Sequence, residues 1–203
     1  MSTYEKTQDG EVVRVKVRSA KEFLDHPIPK AVALQYGLLY EGNVLRVIVE
    51  PEVKPRLFGM LLAAKVALGA DLGPFAKGPG AKVLYVSGSG DEEADQHRMK
   101  LIVDSLDNEQ QKKFAMSFAM YHRGMEGDDK IDLTTDQGRE VLKKSIPTDT
   151  KVVAVDYLPG MFPTETISPR ARKELDAWFR DFSKQGMTVV VFDVETKNRT
   201  MLG

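Results

Sequence analysis

The sequence of 203 residues carries 29 Lys and Arg against 30 Asp and Glu, a formal net charge of −1, with 42% hydrophobic residues. This composition is typical of a globular domain and excludes an overall electrostatic attraction to nucleic acid. The sequence contains no cysteine, which excludes disulfides, zinc–thiolate sites, iron–sulfur clusters and thiol nucleophiles. No apolar run reaches the ~20 residues that span a bilayer, and the N-terminus lacks a signal region, so we expect a cytoplasmic protein without membrane contact.

The whole chain, 1–203, is expected to form a single domain in which residues 1–30 are an appendage. Residues 1–10 are polar, and we expect them to fray. The partly alternating valines of Val12–Val17 predict a short strand. Ser19, with Glu22 three residues later, predicts the capped start of a short helix.

The rest of the chain alternates short apolar runs with helical patterns. The apolar runs that predict buried strands are Val44–Val49, Lys82–Ser87, Lys151–Asp156 and Met187–Asp193. The segments that predict helices are Leu57–Leu68, the stretch leading to Leu106, 109–120 running into a strand at FAMSFAM, Asp136–Lys144 and Pro169–Lys184. This alternation predicts an α/β three-layer sandwich with a central, mostly parallel sheet covered on both faces. Ligands of such folds bind at the carboxyl ends of the strands.

The run from Ser19 to Gly69, with a Gly-Leu-Leu turn at residues 37–39, resembles the opening of the RepA-like helicase ATPases, which belong to the RecA- and KaiC-type group. GADLGPFAKGPGAKVLYVS resembles the next loop and strand, and HRMKLIVDSL resembles the following helix, with Arg98 at the place of a common Arg. KVVAVD resembles the Walker B strand. The resemblance covers about residues 19–195 and implies a RecA-like fold, here with a shortened core.

The phosphate-binding loop of that family requires GxxxxGK[ST], in which glycines turn backbone N–H groups inward, Lys neutralises phosphate charge and the hydroxyl binds Mg²⁺. The corresponding stretch here is Val49, Glu50, Pro51, Glu52, Val53, Lys54, Pro55 and Arg56. Val49 and Lys54 fill the two glycine positions. Pro55 replaces the Lys and also removes a backbone donor, and Arg56 replaces the Ser or Thr.

The loop's charge also departs from the family pattern. Glu50 and Glu52 place negative charge where phosphates would lie. Taken together, the substitutions predict that the loop no longer holds a nucleotide, so we expect neither ATP nor Mg²⁺ as a cofactor and no catalytic residues.

Other family positions lead to the same prediction. Ungapped matching puts Ser89 at the place of the catalytic Glu, and the tip of the fourth strand reads Asp193-Val194-Glu195 instead of a polar sensor such as His. Only Asp156, the Walker B-like acid, is retained. Asp156 either helps to bind Mg²⁺ or is a structural carboxylate, and the second interpretation is favoured because Mg²⁺ is normally held jointly with substrate phosphates.

Met161 and Phe162 lie between prolines in the loop after the Walker B-like strand. They either form an exposed apolar interface or pack against the helix predicted at 169–184. The Gly-Ser-Gly motif at 88–90 is not a nucleophile elbow, since no partnered His is evident. The three histidines are scattered, so no metal site is predicted.

The prediction is therefore a non-catalytic pseudo-ATPase of RecA-like fold. It would act as a protein-binding, assembly or regulatory factor, in replication, recombination or plasmid maintenance, through another protein or self-association. One alternative is a nucleic-acid-binding accessory factor that retains the family's DNA-side surface. A second alternative is a divergent nucleotide-binding ATPase that uses Lys54, Arg56 and Asp156.

Overall fold

A computed structural model describes residues 2–8, 11–17, 19–25, 32–49, 55–88, 91–123, 131–156, 158–162 and 168–194. The chain divides into two compact units, Met1–Ala31 and Val32–Gly203.

The first unit contains a two-stranded antiparallel sheet. Strand β1 (Ser2–Gln8) pairs with strand β2 (Glu11–Val17) along its whole length. The expectation that residues 1–10 fray is therefore wrong for the described residues Ser2–Gln8. The strand predicted at Val12–Val17 lies within β2. The predicted strand itself is confirmed.

Helix α1 (Ala20–Leu24) follows in the same unit. The backbone N–H of Glu22 donates to the Ser19 hydroxyl at 3.2 Å, and the backbone N–H of Ser19 donates to the Glu22 carboxylate at 2.8 Å. This reciprocal pair is the capping box that the sequence predicts.

The second unit begins with a short antiparallel pair, β3 (Ala33–Gln35) and β4 (Leu39–Tyr40). Its main elements in chain order are β5 (Val44–Val49), α2 (Pro55–Leu68), β6 (Val83–Ser87), α3 (Glu92–Asp104), α4 (Asn108–Ser117), β7 (Phe118–His122), α5 (Asp136–Ser145), β8 (Val152–Asp156), a 3-10 turn (Leu158–Met161), α6 (Pro169–Lys184) and β9 (Thr188–Val194).

The main strands form one five-stranded parallel sheet in the order β5-β9-β8-β6-β7. Strands β6 and β8 are buried along their whole length. Such strands form where both faces of a sheet are covered, which explains their continuous apolar runs. The predicted three-layer α/β sandwich with a parallel central sheet is confirmed.

Alternate residues of the strands face two separate cores. Helices α2, α3 and α4 pack on one face, where Tyr85, Ala154 and Phe192 lie. Helices α5 and α6 and the 3-10 turn pack on the other face, where Val86 and Val155 lie. We call these the first and the second core.

The segment FAMSFAM departs from its predicted position. Helix α4 continues through Ser117, so Phe114 is a buried helical residue, and strand β7 begins only at Phe118. A capping box between Asp107 and Gln110 starts this helix. Strand β7 begins at Phe118 because this residue pairs with Val83 of β6. Local sequence patterns do not predict that contact, since the two residues are far apart in the chain.

The strand order shows where the chain leaves neighbouring strands in opposite directions along the sheet. The chain leaves the carboxyl end of β6 towards β7, and it leaves the carboxyl end of β8 in the opposite direction, towards β9. Since β6 and β8 are neighbours, their carboxyl ends form a topological switch point, the place where open α/β sheets bind ligands. The candidate site is therefore sought around Ser87 and Asp156.

Candidate functional site

The centre of the site is a buried pair of polar side chains, Tyr85 and Asp156. Tyr85 lies on β6 opposite Ala154 of β8, and Asp156 lies two residues further along β8, so both side chains point to the first core. Each residue is only 1% exposed. The phenol of Tyr85 donates a hydrogen bond to Oδ2 of Asp156.

Helix α2 closes over this carboxylate at a glycine. A Cβ atom built on Gly59 would lie 3.1 Å from Oδ2 of Asp156 and 3.1 Å from a ring carbon of Phe192. The absence of a side chain at Gly59 therefore lets the helix backbone approach the carboxylate closely. The Walker B-like acid is thus covered by packed protein.

The charges around Tyr85 keep its phenol protonated. Burial raises the pKa of Tyr85, and the negative charge of Asp156, the hydrogen bond to it and the charge of Asp95 raise that pKa further. Arg56 acts in the opposite direction and lowers the pKa of Tyr85, so its guanidinium lies within electrostatic reach of the pair. Tyr85 remains a hydrogen-bond donor at every physiological pH.

The stretch predicted to be a degenerate phosphate loop lies between β5 and α2. Val49 is the last residue of β5, Pro55 is the first residue of α2, and Arg56 is half-buried in the first turn of that helix. Proline suits this first helical turn because a helix leaves its first N–H groups unbonded. The other predicted positions, Glu50, Pro51, Glu52 and Lys54, lie outside the described residues.

A second buried cluster, which sequence reasoning missed, surrounds Asp95 of α3. Its carboxylate is 2% exposed and accepts a hydrogen bond from the Ser87 hydroxyl at 2.6 Å. Nε2 of His122, at the end of β7, lies 3.3 Å from the same carboxylate oxygen, Oδ2. Arg98, one helical turn further along, pairs with the other oxygen. We call these four residues the Asp95 cluster.

The arrangement of the Asp95 cluster does not suit nucleophilic catalysis. In a Ser-His-Asp triad the imidazole lies between the hydroxyl and the carboxylate and takes the proton of the hydroxyl. Here the carboxylate lies between Ser87 and His122. The cluster therefore joins the carboxyl ends of β6 and β7 to α3. The only sequence signal for it is the Asp95–Arg98 spacing, which places both side chains on one helical face.

Ion pairs join the remaining strands, β5 and β9, to helix α6. Asp193, at the end of β9, is 7% exposed and pairs with Arg172. Arg46 of β5 pairs with Asp176. Asp193, at the position of the family's polar sensor, thus binds a cation of its own chain. Ser89 and Glu195 lie outside the described residues.

The prediction that Met161 and Phe162 form an exposed interface is wrong. Met161 is 0% exposed and Phe162 is 4% exposed. Both belong to the second core together with Leu175 and Phe179 of α6. The alternative, packing against the helix at 169–184, is the arrangement found, because the 3-10 turn after β8 directs these side chains inward.

Comparison with known proteins gives distant structural neighbours. No family model matches the sequence, and no curated protein matches it. The crystal structure of the RadB recombinase is similar with 17% sequence identity and a TM-score of 0.45, covering 81% of this chain and 67% of that one. The flagellar accessory protein FlaH from Methanocaldococcus jannaschii is similar with 13% identity and a TM-score of 0.48, covering 78% of this chain and 63% of that one.

The residues that the structure describes contain no group of three or more His, Asp or Glu side chains placed to hold a metal ion. None of their helices has the length and apolarity needed to cross a membrane.

Proposed function

We propose that this chain is a non-catalytic RecA-like domain, a pseudo-ATPase that acts as a protein-binding, assembly or regulatory factor. Its resemblance to RepA-like helicase ATPases favours a role in replication, recombination or plasmid maintenance. The proposal depends above all on one observation, the burial of Asp156 beneath α2 with its carboxylate bonded to Tyr85.

The surroundings of Asp156 do not fit a Mg²⁺–nucleotide site. Mg²⁺ takes six oxygen ligands in a near-ideal octahedron, keeps several of its waters, and usually binds one or two carboxylates together with substrate phosphates. The carboxylate of Asp156 is 1% exposed, and one of its oxygens accepts the Tyr85 hydrogen bond. The close approach of Gly59 leaves little room on the helix side for a hydrated cation.

The chemistry of the loop before α2 supports the same proposal. A triphosphate requires several inward-pointing backbone N–H groups and a Lys. The loop has Pro51 and Pro55, which lack that donor, and two carboxylates, Glu50 and Glu52, which repel phosphate. The charge of Arg56 acts on Tyr85 beside two buried carboxylates, Asp156 and Asp95.

Titration calorimetry with Mg²⁺–ATP tests the loss of nucleotide binding. We expect no binding heat at millimolar nucleotide from the wild-type chain. Asp156→Asn preserves an acceptor for Tyr85 and removes the charge, so it is the matched variant and is expected to behave like the wild type. Saturable heat in the wild type that Asp156→Asn abolishes would show a working nucleotide site and overturn the proposal.

A further inference from the structure

The edge of the main sheet at β5 combines features that natural sheet edges usually avoid. Among the described residues, β5 pairs only with β9, and no other described strand pairs with the backbone N–H and C=O groups on its other side. Proteins normally protect such an edge with Lys, Pro, a bulge or a covering element. The register with β9 is regular from Val44 to Val49, and Arg46 is the only charged residue in the strand.

Apolar side chains are exposed on both sides of this edge. Val44 is 37% exposed and Ile48 is 56% exposed on the face shared with α6. On the opposite face Leu45 and Val47 are half-buried, and Phe58 of α2 is 41% exposed with its ring 6.2 Å from that of Phe192. An exposed apolar region at an unpaired strand is a typical interaction surface.

The side-chain pattern of β5 identifies the occupant as a second copy of the same strand. An antiparallel pair centred on Arg46 is two-fold symmetric, and residues that face each other directly lie on the same face of the sheet. Val44 then faces Ile48 of the other copy, and Leu45 faces Val47, so apolar residues meet on both faces. Two-fold dimers with self-complementary interfaces are the commonest homo-oligomers.

The one charge at the centre of this pairing is already compensated. Two unpaired Arg46 side chains facing each other would destabilise the pair. Arg46 is held by Asp176 of α6 within its own chain, so the centre of the strand carries a neutral ion pair. No acidic partner strand is needed to neutralise it.

We infer that β5 pairs antiparallel with β5 of a second copy, centred on Arg46, and joins two five-stranded sheets into one continuous sheet. The inference rests on the proposed assembly role and names the partner as the chain itself. Nucleotide binding and self-association are measured separately. Absence of a dimer would overturn only this inference, whereas saturable ATP binding would overturn only the loss of nucleotide binding.

Analytical ultracentrifugation of the whole chain tests the dimer. We expect a dimer at micromolar concentration and a monomer for Ile48→Lys, whose charge would face Val44 of the other copy. Leu101→Lys on α3 is the matched control, since Leu101 is 54% exposed on an element remote in sequence, and it is expected to remain dimeric. Circular dichroism verifies that both variants are folded. A wild-type monomer, or a dimer that Ile48→Lys leaves intact, contradicts the inference.

Disulfide trapping tests the register. The chain has no cysteine, so introduced thiols report without background. The double variant Val44→Cys/Ile48→Cys places the two thiols of different copies opposite each other and is expected to form a covalent dimer on mild oxidation. Ile48→Cys alone places the thiols of the two copies four residues out of register, too far apart for a disulfide. This single variant is expected to form no covalent dimer. Equal cross-linking of the single and double variants would contradict the proposed register.

Discussion

Tyr85 donates a buried hydrogen bond to Asp156 across the two neighbouring strands at the switch point of the sheet. This bond joins Tyr85, to which the resemblance to ATPases assigns no role, to the one acid that the resemblance retains. The Walker B-like carboxylate is thus buried and accepts a hydrogen bond from its own chain.

Replacing Tyr85 by Phe is expected to destabilise the fold by about 1.5–3 kcal/mol, because a hydrogen bond to a buried carboxylate is lost. Urea unfolding at pH 7 measures the free energy. Tyr36→Phe is the control, since Tyr36 is 57% exposed, and it is expected to change stability by less than about 0.5 kcal/mol. Equal effects of the two substitutions would show that the Tyr85 bond does not contribute.

The same residue predicts a dependence on high pH. The pKa of Tyr85 in the folded chain is raised above its usual 10.0, so its protonated phenol stabilises the fold fully below pH 10 and this contribution is lost as the pH rises. Above pH 10 the free energy of unfolding of the wild type is expected to fall by about 1.4 kcal/mol per pH unit relative to that of Tyr85→Phe. The stability difference between the two proteins should therefore shrink, and a difference that stays constant to pH 11.5 contradicts the prediction.

Removal of the carboxylate in the Asp95 cluster is expected to be more damaging. Asp95→Ala removes the carboxylate that accepts a hydrogen bond from Ser87, pairs with Arg98 and lies beside His122. Breaking a buried ion pair costs about 3–5 kcal/mol. Glu93→Ala, an exposed change on the same helix, is the matched control. Thermal unfolding of both variants is the measurement, and a loss no larger than that of the control would show that the cluster is solvated in solution.

Met161 offers a direct test of its burial. Met161→Ala removes a fully buried side chain from the second core, and we expect a loss of about 2–5 kcal/mol. Met116→Ala is the control of identical chemistry, since Met116 is 73% exposed. A negligible effect of Met161→Ala on urea unfolding would contradict this burial and favour the other sequence interpretation, an exposed interface.

Two helical glycines are expected to differ in their tolerance of Ala. A Cβ on Gly138 would lie 2.0 Å from the backbone oxygen of Asp132, which cannot move without displacing the chain. Gly138→Ala is therefore expected to cost about 2–4 kcal/mol. At Gly59 the contacts are side-chain atoms at 3.1 Å, and the gain in helix propensity of roughly 1 kcal/mol offsets part of the strain. Thermal unfolding should show the larger loss for Gly138→Ala, and the reverse order would contradict the packing described here.

The main strands and helices of the second unit were largely predictable from local pattern. Continuous apolar runs such as KVVAVD can be satisfied only between two covered faces, which makes a parallel sheet the expected result. The N-terminal hairpin was missed, although Asp9-Gly10 between β1 and β2 is a typical two-residue hairpin sequence. The polar composition of β1 does not predict a strand. This segment is a strand because its backbone pairs with β2.

The sequence alone determined the layered α/β architecture and the position of Asp156 at a strand tip, since both depend on hydrophobic periodicity within short segments. The tertiary structure decided what surrounds that tip. Tyr85 and Asp156 are 71 residues apart in the chain and meet on neighbouring strands. Ser87, Asp95 and His122 come together from three different elements. Met161 and Phe162 turned inward because α6 lies over their loop. Such contacts depend on strand order and helix placement, which physical packing selects and local periodicity does not encode.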